Sequence, residues 1–291
     1  MEVEFFFLHF NEKKLSMQED CPMKPISIEE MKQIQIDILK DVHFFCENNN
    51  IRYTLIYGSL LGAVRHKGYI PWDDDIDIAM PRDDYERFIA SYKSAGGFYH
   101  VYDCRKDEGY YYPFAKVADT RTLLEENVSV DNIGINIDVF PCDYLYDSQQ
   151  ECVNFIKKLD FLKKLFRIKL VKPGKKNSFV KRILIRILKM VCLPVSMKKI
   201  VAKEYELVNR LTNRNAKYVG LVFSSEISCA YRSICPRAMF EKYENVPFEN
   251  ESFKIIASYD EWLTQMFGDY MTPPPVECRT SPHTLNNVYW K

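Results

Sequence analysis

Apolar residues at helical spacing open the readable part of the chain: Met31, Ile34, Ile38, Val42 and Phe45 fall on one face. Ser27-Ile28-Glu29-Glu30 has the capping-box pattern that starts such a helix, and Asn48-Asn49-Asn50 ends it. Ile51 to Tyr57, rich in β-branched and aromatic residues, predicts a strand that Gly58-Ser59 breaks. A short helix follows over Leu60 to His66, then a loop marked by Gly68 and Pro71. Asp75 to Met80 alternates acid with apolar residues, as a strand with one buried face does. Pro81 opens a helix that packs Tyr85, Phe88 and Ile89.

After the Gly96-Gly97 turn the pattern predicts three strands, Phe98–Cys104, Phe114–Ala118 and Ile133–Phe140, the last stopped by Pro141. A second capping box, Ser148-Gln149-Gln150-Glu151, opens a helical region reaching Asn213, with breaks at Lys172-Pro173-Gly174 and Pro194. Strand patterns return at Tyr218–Ser224 and Val246–Ala257. A third capping box, Ser258-Tyr259-Asp260-Glu261, starts a helix stopped by Gly268, and Thr272-Pro273-Pro274-Pro275 cannot be helical. The order predicts one mixed α/β (α+β) domain: an extension over 1–25, a core over 26–147, a helical insertion over 148–215, and a part over 216–291 that completes the domain.

Charge sharpens this division. The 291 residues have no formal net charge, yet sixteen Lys/Arg stand against one acid, Asp160, between Lys157 and Lys203. In that segment Val180, Ile183, Leu184, Ile187, Leu188 and Val191 share a helical face, while Lys181, Arg182, Arg186 and Lys189 lie mostly elsewhere. Two arrangements are open. A basic amphipathic helix can lie on an anionic membrane surface, or it can pack its apolar stripe onto the domain. Nucleic acid is not an expected partner, because no aromatics interleave with these charges. Nine irregularly spaced cysteines without C-x-x-C argue against a disulfide framework and a structural zinc site, and point to a reducing, cytoplasmic compartment. Phe5-Phe6-Phe7-Leu8 is too short for a signal peptide core, and no apolar run is long enough to span a bilayer.

The chemistry concentrates in Trp72-Asp73-Asp74-Asp75-Ile76-Asp77. Asp75 and Asp77 share one face of the expected strand, where their carboxylates repel unless a cation sits between them. Mg²⁺ or Mn²⁺ suits such oxygen ligands and shares them with substrate phosphate. Asp73 and Asp74 precede them as supporting or outer ligands. Asp138, a lone acid in Asn136-Ile137-Asp138-Val139-Phe140, is the candidate third carboxylate, with an edge-strand residue facing water as the plainer alternative. Upstream, Gly58 permits close backbone approach and Ser59 supplies a hydroxyl, as a phosphate cradle needs.

Tyr57-Gly58-Ser59-Leu60-Leu61-Gly62-Ala63-Val64-Arg65-His66-Lys67-Gly68-Tyr69-Ile70-Pro71 running into the acidic stretch resembles the signature of the LicD family. That family includes bacterial phosphocholine transferases and is related to fukutin and fukutin-related protein. The resemblance continues through Met80–Tyr85 and Asp138–Pro141, and returns at Phe267–Met271 and Pro274-Pro275. It implies a nucleotidyltransferase-like fold, a mixed sheet flanked by helices. It also implies transfer of a phospho-alcohol from a CDP-linked donor such as CDP-choline to a hydroxyl of a cell-surface or lipid-linked glycan. Sixteen residues separate Ser59 from Asp75, longer than in the wider superfamily and matching LicD proteins. On this resemblance Asp75 and Asp77 hold the metal, with Asp138 as third ligand or as base for the attacking hydroxyl. Arg65, His66, Lys67 and Lys116 supply positive charge to phosphate, with a surface lysine the alternative for Lys116 and His66 a hydrogen-bonding loop residue rather than a proton carrier; Trp72 braces the acidic loop or packs in the core, and Arg279 with His283 lies near substrate. The cluster Tyr110-Tyr111-Tyr112 offers an aromatic cage for a trimethylammonium group. A sugar-nucleotide glycosyltransferase, which also uses Asp-x-Asp, and an inactive nucleotide-binding homologue are the competing readings.

Overall fold

The computed structural model describes residues 23–126, 128–172, 179–192, 194–224, 227–280 and 287–291. His283, the break at Pro173-Gly174 and the stretch before Met23 lie outside them. So do the side chains of Val180, Lys181, Arg182, Leu184 and Val191.

Chain order begins with β1 (Lys24–Pro25), α1 (Ile28–Asn49), β2 (Thr54–Leu55), α2 (Tyr57–His66), β3 (Asp77–Pro81) and α3 (Arg82–Ser91). Strands β4 (Tyr99–Tyr102), β5 (Ala115–Asp119), β6 (Thr122–Glu125) and β7 (Asn136–Tyr144) follow. The basic segment forms α4 (Gln149–Leu170), α5 (Phe179–Val191) and α6 (Met197–Val208). The chain closes with β8 (Tyr218–Gly220), α7 (Ile227–Arg232), β9 (Cys235–Pro236), the hairpin β10 (Tyr243–Phe248) and β11 (Glu251–Ile256), α8 (Tyr259–Phe267) and β12 (Asn287–Trp290). The central sheet runs β2-β3-β7-β5-β4, with β8 and β9 continuing from the far end of β7. Only β3 and β7 pair in parallel among these strands. The result is a mixed, curled sheet flanked by helices.

α1 starts where its cap predicts: Ser27 Oγ accepts from the Glu30 N–H at 3.2 Å. Its apolar face, Met31 through Cys46, is buried against β7 and β5. Asn50 ends it in the left-handed region at φ 51° and donates its N–H to the Cys46 carbonyl. The other two boxes start helices at the expected places, yet neither Ser148 nor Ser258 caps with its side chain. Ser196, which carries no acid three residues on, does cap, accepting from the Lys199 N–H at 3.2 Å.

Three of the differences from the sequence pattern bear on the site. The strand before Gly58 shrinks to Thr54–Leu55, and helix α2 begins at Tyr57, so Gly58 and Ser59 lie in its first turn. Val246–Ala257 is not one strand but the β10–β11 hairpin, turned at Glu249 with φ 54°. Pro141 does not end β7. The Asp138 N–H points to β3, onto the Ile76 carbonyl at 2.9 Å, so the odd-numbered positions face the opposite way. There β5 has already ended opposite Val139 and β8 first pairs at Asp143. The missing N–H of Pro141 therefore falls in a gap where no partner strand needs it.

No described helix is long and apolar enough to cross a membrane. The eight described cysteines are free thiols.

Candidate active site

The parallel β3–β7 pair places Asp77 opposite Asp138, one strand apart. On the other side of β7, Lys116 on β5 is also in register with Asp138. Its ammonium donates to Asp138 Oδ1 at 2.5 Å and to Asn136 Oδ1 at 3.0 Å. Asp138 is thus a sheet-centre residue with a buried cation beside it, not an edge residue facing water. Asp75 lies two residues before β3 begins, in extended chain rather than on the strand itself.

The acids gather. Asp73, Asp74 and Asp75 each offer an oxygen, and the three atoms lie within 4.8 Å of one another. This trio could hold a divalent cation through hard oxygen donors, the set that Mg²⁺, Mn²⁺ and Ca²⁺ prefer. Burial raises the Asp77 carboxyl well above its ordinary value, and the charges of Asp75, Asp138 and Asp73 push it further, against Lys116. Asp138 is raised by burial, opposed by Lys116, and also feels Asp75. Asp73 is raised by burial and then by Asp75. Such concentrated negative charge on partly buried groups is costly without a compensating cation.

Local geometry holds these groups in place. Ser59 is buried, and its Oγ accepts from the Asp77 N–H at 2.8 Å, which ties the first turn of α2 to the first residue of β3. Gly58 approaches Asp73 so closely that a Cβ there would overlap the Asp73 carboxylate. Tyr57 enters α2 at φ 47°, an uncommon conformation for a bulky residue. Its ring packs edge-on against Phe140 and tilted on Trp262, and its hydroxyl bonds Ser224 Oγ. The β10–β11 turn clamps the loop leading to the acids: Glu249 N–H donates to the Lys67 carbonyl at 2.7 Å, and Glu249 Oε1 accepts from the Tyr69 N–H at 2.9 Å.

The basic candidates divide. Arg65 donates to the Tyr270 carbonyl at 2.6 Å and to His66 Nε2 at 3.0 Å. Arg279 lies 5.4 Å from the Trp72 ring, and Trp72 meets His66 edge-on at 6.3 Å. Burial lowers the Arg65 pKa, and the nearby Arg279 charge lowers it further. Two guanidinium groups are therefore held near each other beside the acidic loop. Lys67 is exposed and turns its ammonium onto the Val64 carbonyl at 3.3 Å, at the end of its own helix.

Phe114, Phe166, Phe223, Lys163 and Glu204, which no motif indicated, join Tyr112 in completing the surroundings. A cavity of about 210 Å³ is lined by Tyr112, Phe114, Phe166 and Phe223, with Lys163 and Glu204 in its wall. Lys116 sits 5.3 Å from the Tyr112 ring and 5.8 Å from Phe114, so this cavity adjoins the carboxylates. Glu204 is buried, and its Oε1 has no hydrogen-bond partner. Burial pushes Glu204 up, against the charge of Lys163, and pushes Lys163 down. Of the tyrosine cluster, Tyr112 lines the cavity, while Tyr110 is buried with its hydroxyl on the Phe114 carbonyl at 2.8 Å.

Comparison with known proteins matches residues 50–184 to the nucleotidyltransferase domain shared by LicD, FKTN and FKRP. The chain is 32% identical over 277 residues to the lipopolysaccharide cholinephosphotransferase LicD of Haemophilus influenzae, covering 92% of this chain and 99% of that protein. The chain belongs to the LicD family. An uncharacterized protein of Rickettsia typhi is 30% identical over 134 residues, 45% of this chain and 41% of its own. One from Rickettsia prowazekii is 38% identical over 77 residues, 23% of this chain and 29% of its own. Membership in the LicD family makes the chain a transferase, with phosphotransfer of the nucleotidyltransferase type as its reaction. The gathered carboxylates are the chemistry that such a reaction requires.

Proposed function

We propose that the protein transfers a phospho-alcohol, phosphocholine in the first instance, from a CDP-linked donor to a hydroxyl of a cell-surface or lipid-linked glycan, releasing CMP. The observation that carries this reading is the convergence of Asp73, Asp75, Asp77 and Asp138 beside the Gly58-Ser59 turn, in a chain similar over nearly its whole length to a cholinephosphotransferase.

Mg²⁺ or Mn²⁺ is the expected cofactor, held by Asp75 and Asp77 with Asp73 and Asp138 completing the oxygen set; when bound it neutralises the donor diphosphate. Asp73 is kept in position by the bare Cα of Gly58, and Asp77 by Ser59. Asp138, oriented by Lys116, is placed either to ligate or to accept the proton of the attacking hydroxyl. Arg65 and Arg279 offer guanidinium groups to the donor phosphates. The aromatic walls of the cavity beside Lys116 offer the ring faces that a quaternary ammonium prefers, which supports choline as the alcohol. The free thiols support a reducing, cytoplasmic setting.

The test is incubation with a panel of CDP-alcohols (choline, ribitol, glycerol) and Mg²⁺, with CMP release as the readout. CDP-choline is expected to turn over fastest. No release from any member overturns the proposal, and release of a nucleoside diphosphate from an added sugar nucleotide instead would assign a glycosyltransferase.

A further inference from the structure

Among its described residues, α5 turns apolar side chains outward. Ile183 is 40% exposed, Ile187 47% and Met190 62%. At about 100° per residue these three fall within about 60° of one another. The opposite side holds the helix to the protein: Cys192 is buried, Ile185 is half-buried, and the Lys189 ammonium reaches Ser129 Oγ at 3.0 Å. A single exposed isoleucine needs no explanation, but three large apolar side chains exposed on one helical face do. The arrangement in which this stripe packs onto the domain does not hold for its described residues.

The segment that contains α5 carries almost one sign of charge. It has sixteen basic residues to one acid, and Lys172, Arg186, Lys198 and Lys199, within it and flanking the helix in sequence, are exposed. We infer that α5 is an interfacial helix that seats the protein on an anionic lipid surface, its apolar stripe in the acyl boundary and its basic flanks among the headgroups. A second copy of this chain fits poorly. Face-to-face pairing would bring two basic segments together, and a stable protein interface buries about 800 Å² per partner, more than one stripe about 10 Å long offers. Lipid supplies both the apolar depth and the opposite charge. This inference stands apart from the transfer reaction, and its readout needs no nucleotide.

The experiment is co-sedimentation of the full chain with vesicles of phosphatidylcholine alone and with about one-third phosphatidylglycerol added, at low and high salt. The protein is expected to pellet with the anionic vesicles, less at high salt. Ile187→Glu and Met190→Glu should each weaken partition about tenfold, with unchanged melting temperature and unchanged CMP release from a soluble donor. Lys198→Glu with Lys199→Glu should lower binding without touching the stripe. Absence from the anionic pellet at low salt, or glutamate variants that bind as wild type does, would overturn the inference. So would concentration-dependent dimerisation abolished by Ile187→Glu, which would assign the stripe to a second copy.

Discussion

Asp77 and Asp138 face each other across the parallel β3–β7 pair, with Asp75 and Asp73 close enough to push Asp77 further toward its neutral form. This repulsion is stored in the sheet. A bound cation relieves it, so metal binding and folding stability are linked. Mg²⁺ at about a hundred times its dissociation constant should add about 2.7 kcal/mol, seen as a higher melting temperature than in EDTA. Asp75→Asn should remove most of that shift and lower turnover by more than about a hundredfold with the circular dichroism spectrum unchanged. Turnover within tenfold of wild type at saturating Mg²⁺ would rule out the ligand assignment.

Lys116 is the buried cation that the acids already have. Lys116→Met leaves Asp138 beside Asp77 without its partner, a loss of about 3–5 kcal/mol. Urea denaturation in EDTA should show this loss, and Mg²⁺ should restore part of it. Adding Asp138→Asn to Lys116→Met should recover stability without metal, since the orphaned charge is then gone. An additive double variant would mean that the pair is not coupled.

Gly58→Ala places a methyl group on the Asp73 carboxylate. Asp73 must move, while the helix of which Gly58 is part tolerates alanine well. The expected outcome is a fall in CMP release of about tenfold or more and weaker Mg²⁺ protection against heat, with a change in melting temperature of only a few degrees. An alanine variant of normal activity would show that Asp73 has no need of its present position.

Glu204 gives a pH dependence of definite sign. Burial raises its folded-state pKa above the ordinary value of about 4.3. Between those two values the folded protein holds a proton that the unfolded chain has released, so stability falls as pH rises. Glu204→Gln cannot titrate and should lose that slope. Denaturation midpoints at about pH 4 and pH 7 should diverge between the two proteins by the order of 1–2 kcal/mol, wild type declining more steeply. Parallel pH profiles would place Glu204 in contact with water.

The sequence by itself determined the local elements that one segment can specify. The apolar spacing of Met31 to Val42 makes α1, because burial of one face follows directly from periodicity; the alternation after Asp75 marks where β3 begins, although from Ile78 to Pro81 that strand is buried on both faces. It also singled out the carboxylates and the Gly58-Ser59 turn, since like charges at short separation carry their own electrostatic argument. Only the tertiary structure decided which neighbours those groups meet. The pairing of Asp138 with Lys116 depends on β5 lying beside β7, and the survival of β7 through Pro141 depends on which neighbouring strands end there. Glu204 and Lys163 come from helices far along the chain, and no spacing rule connects them to Tyr112 or Phe114. The outward stripe of α5 could not be read from its own pattern, because amphipathicity specifies that a helix has an apolar face but not what that face meets.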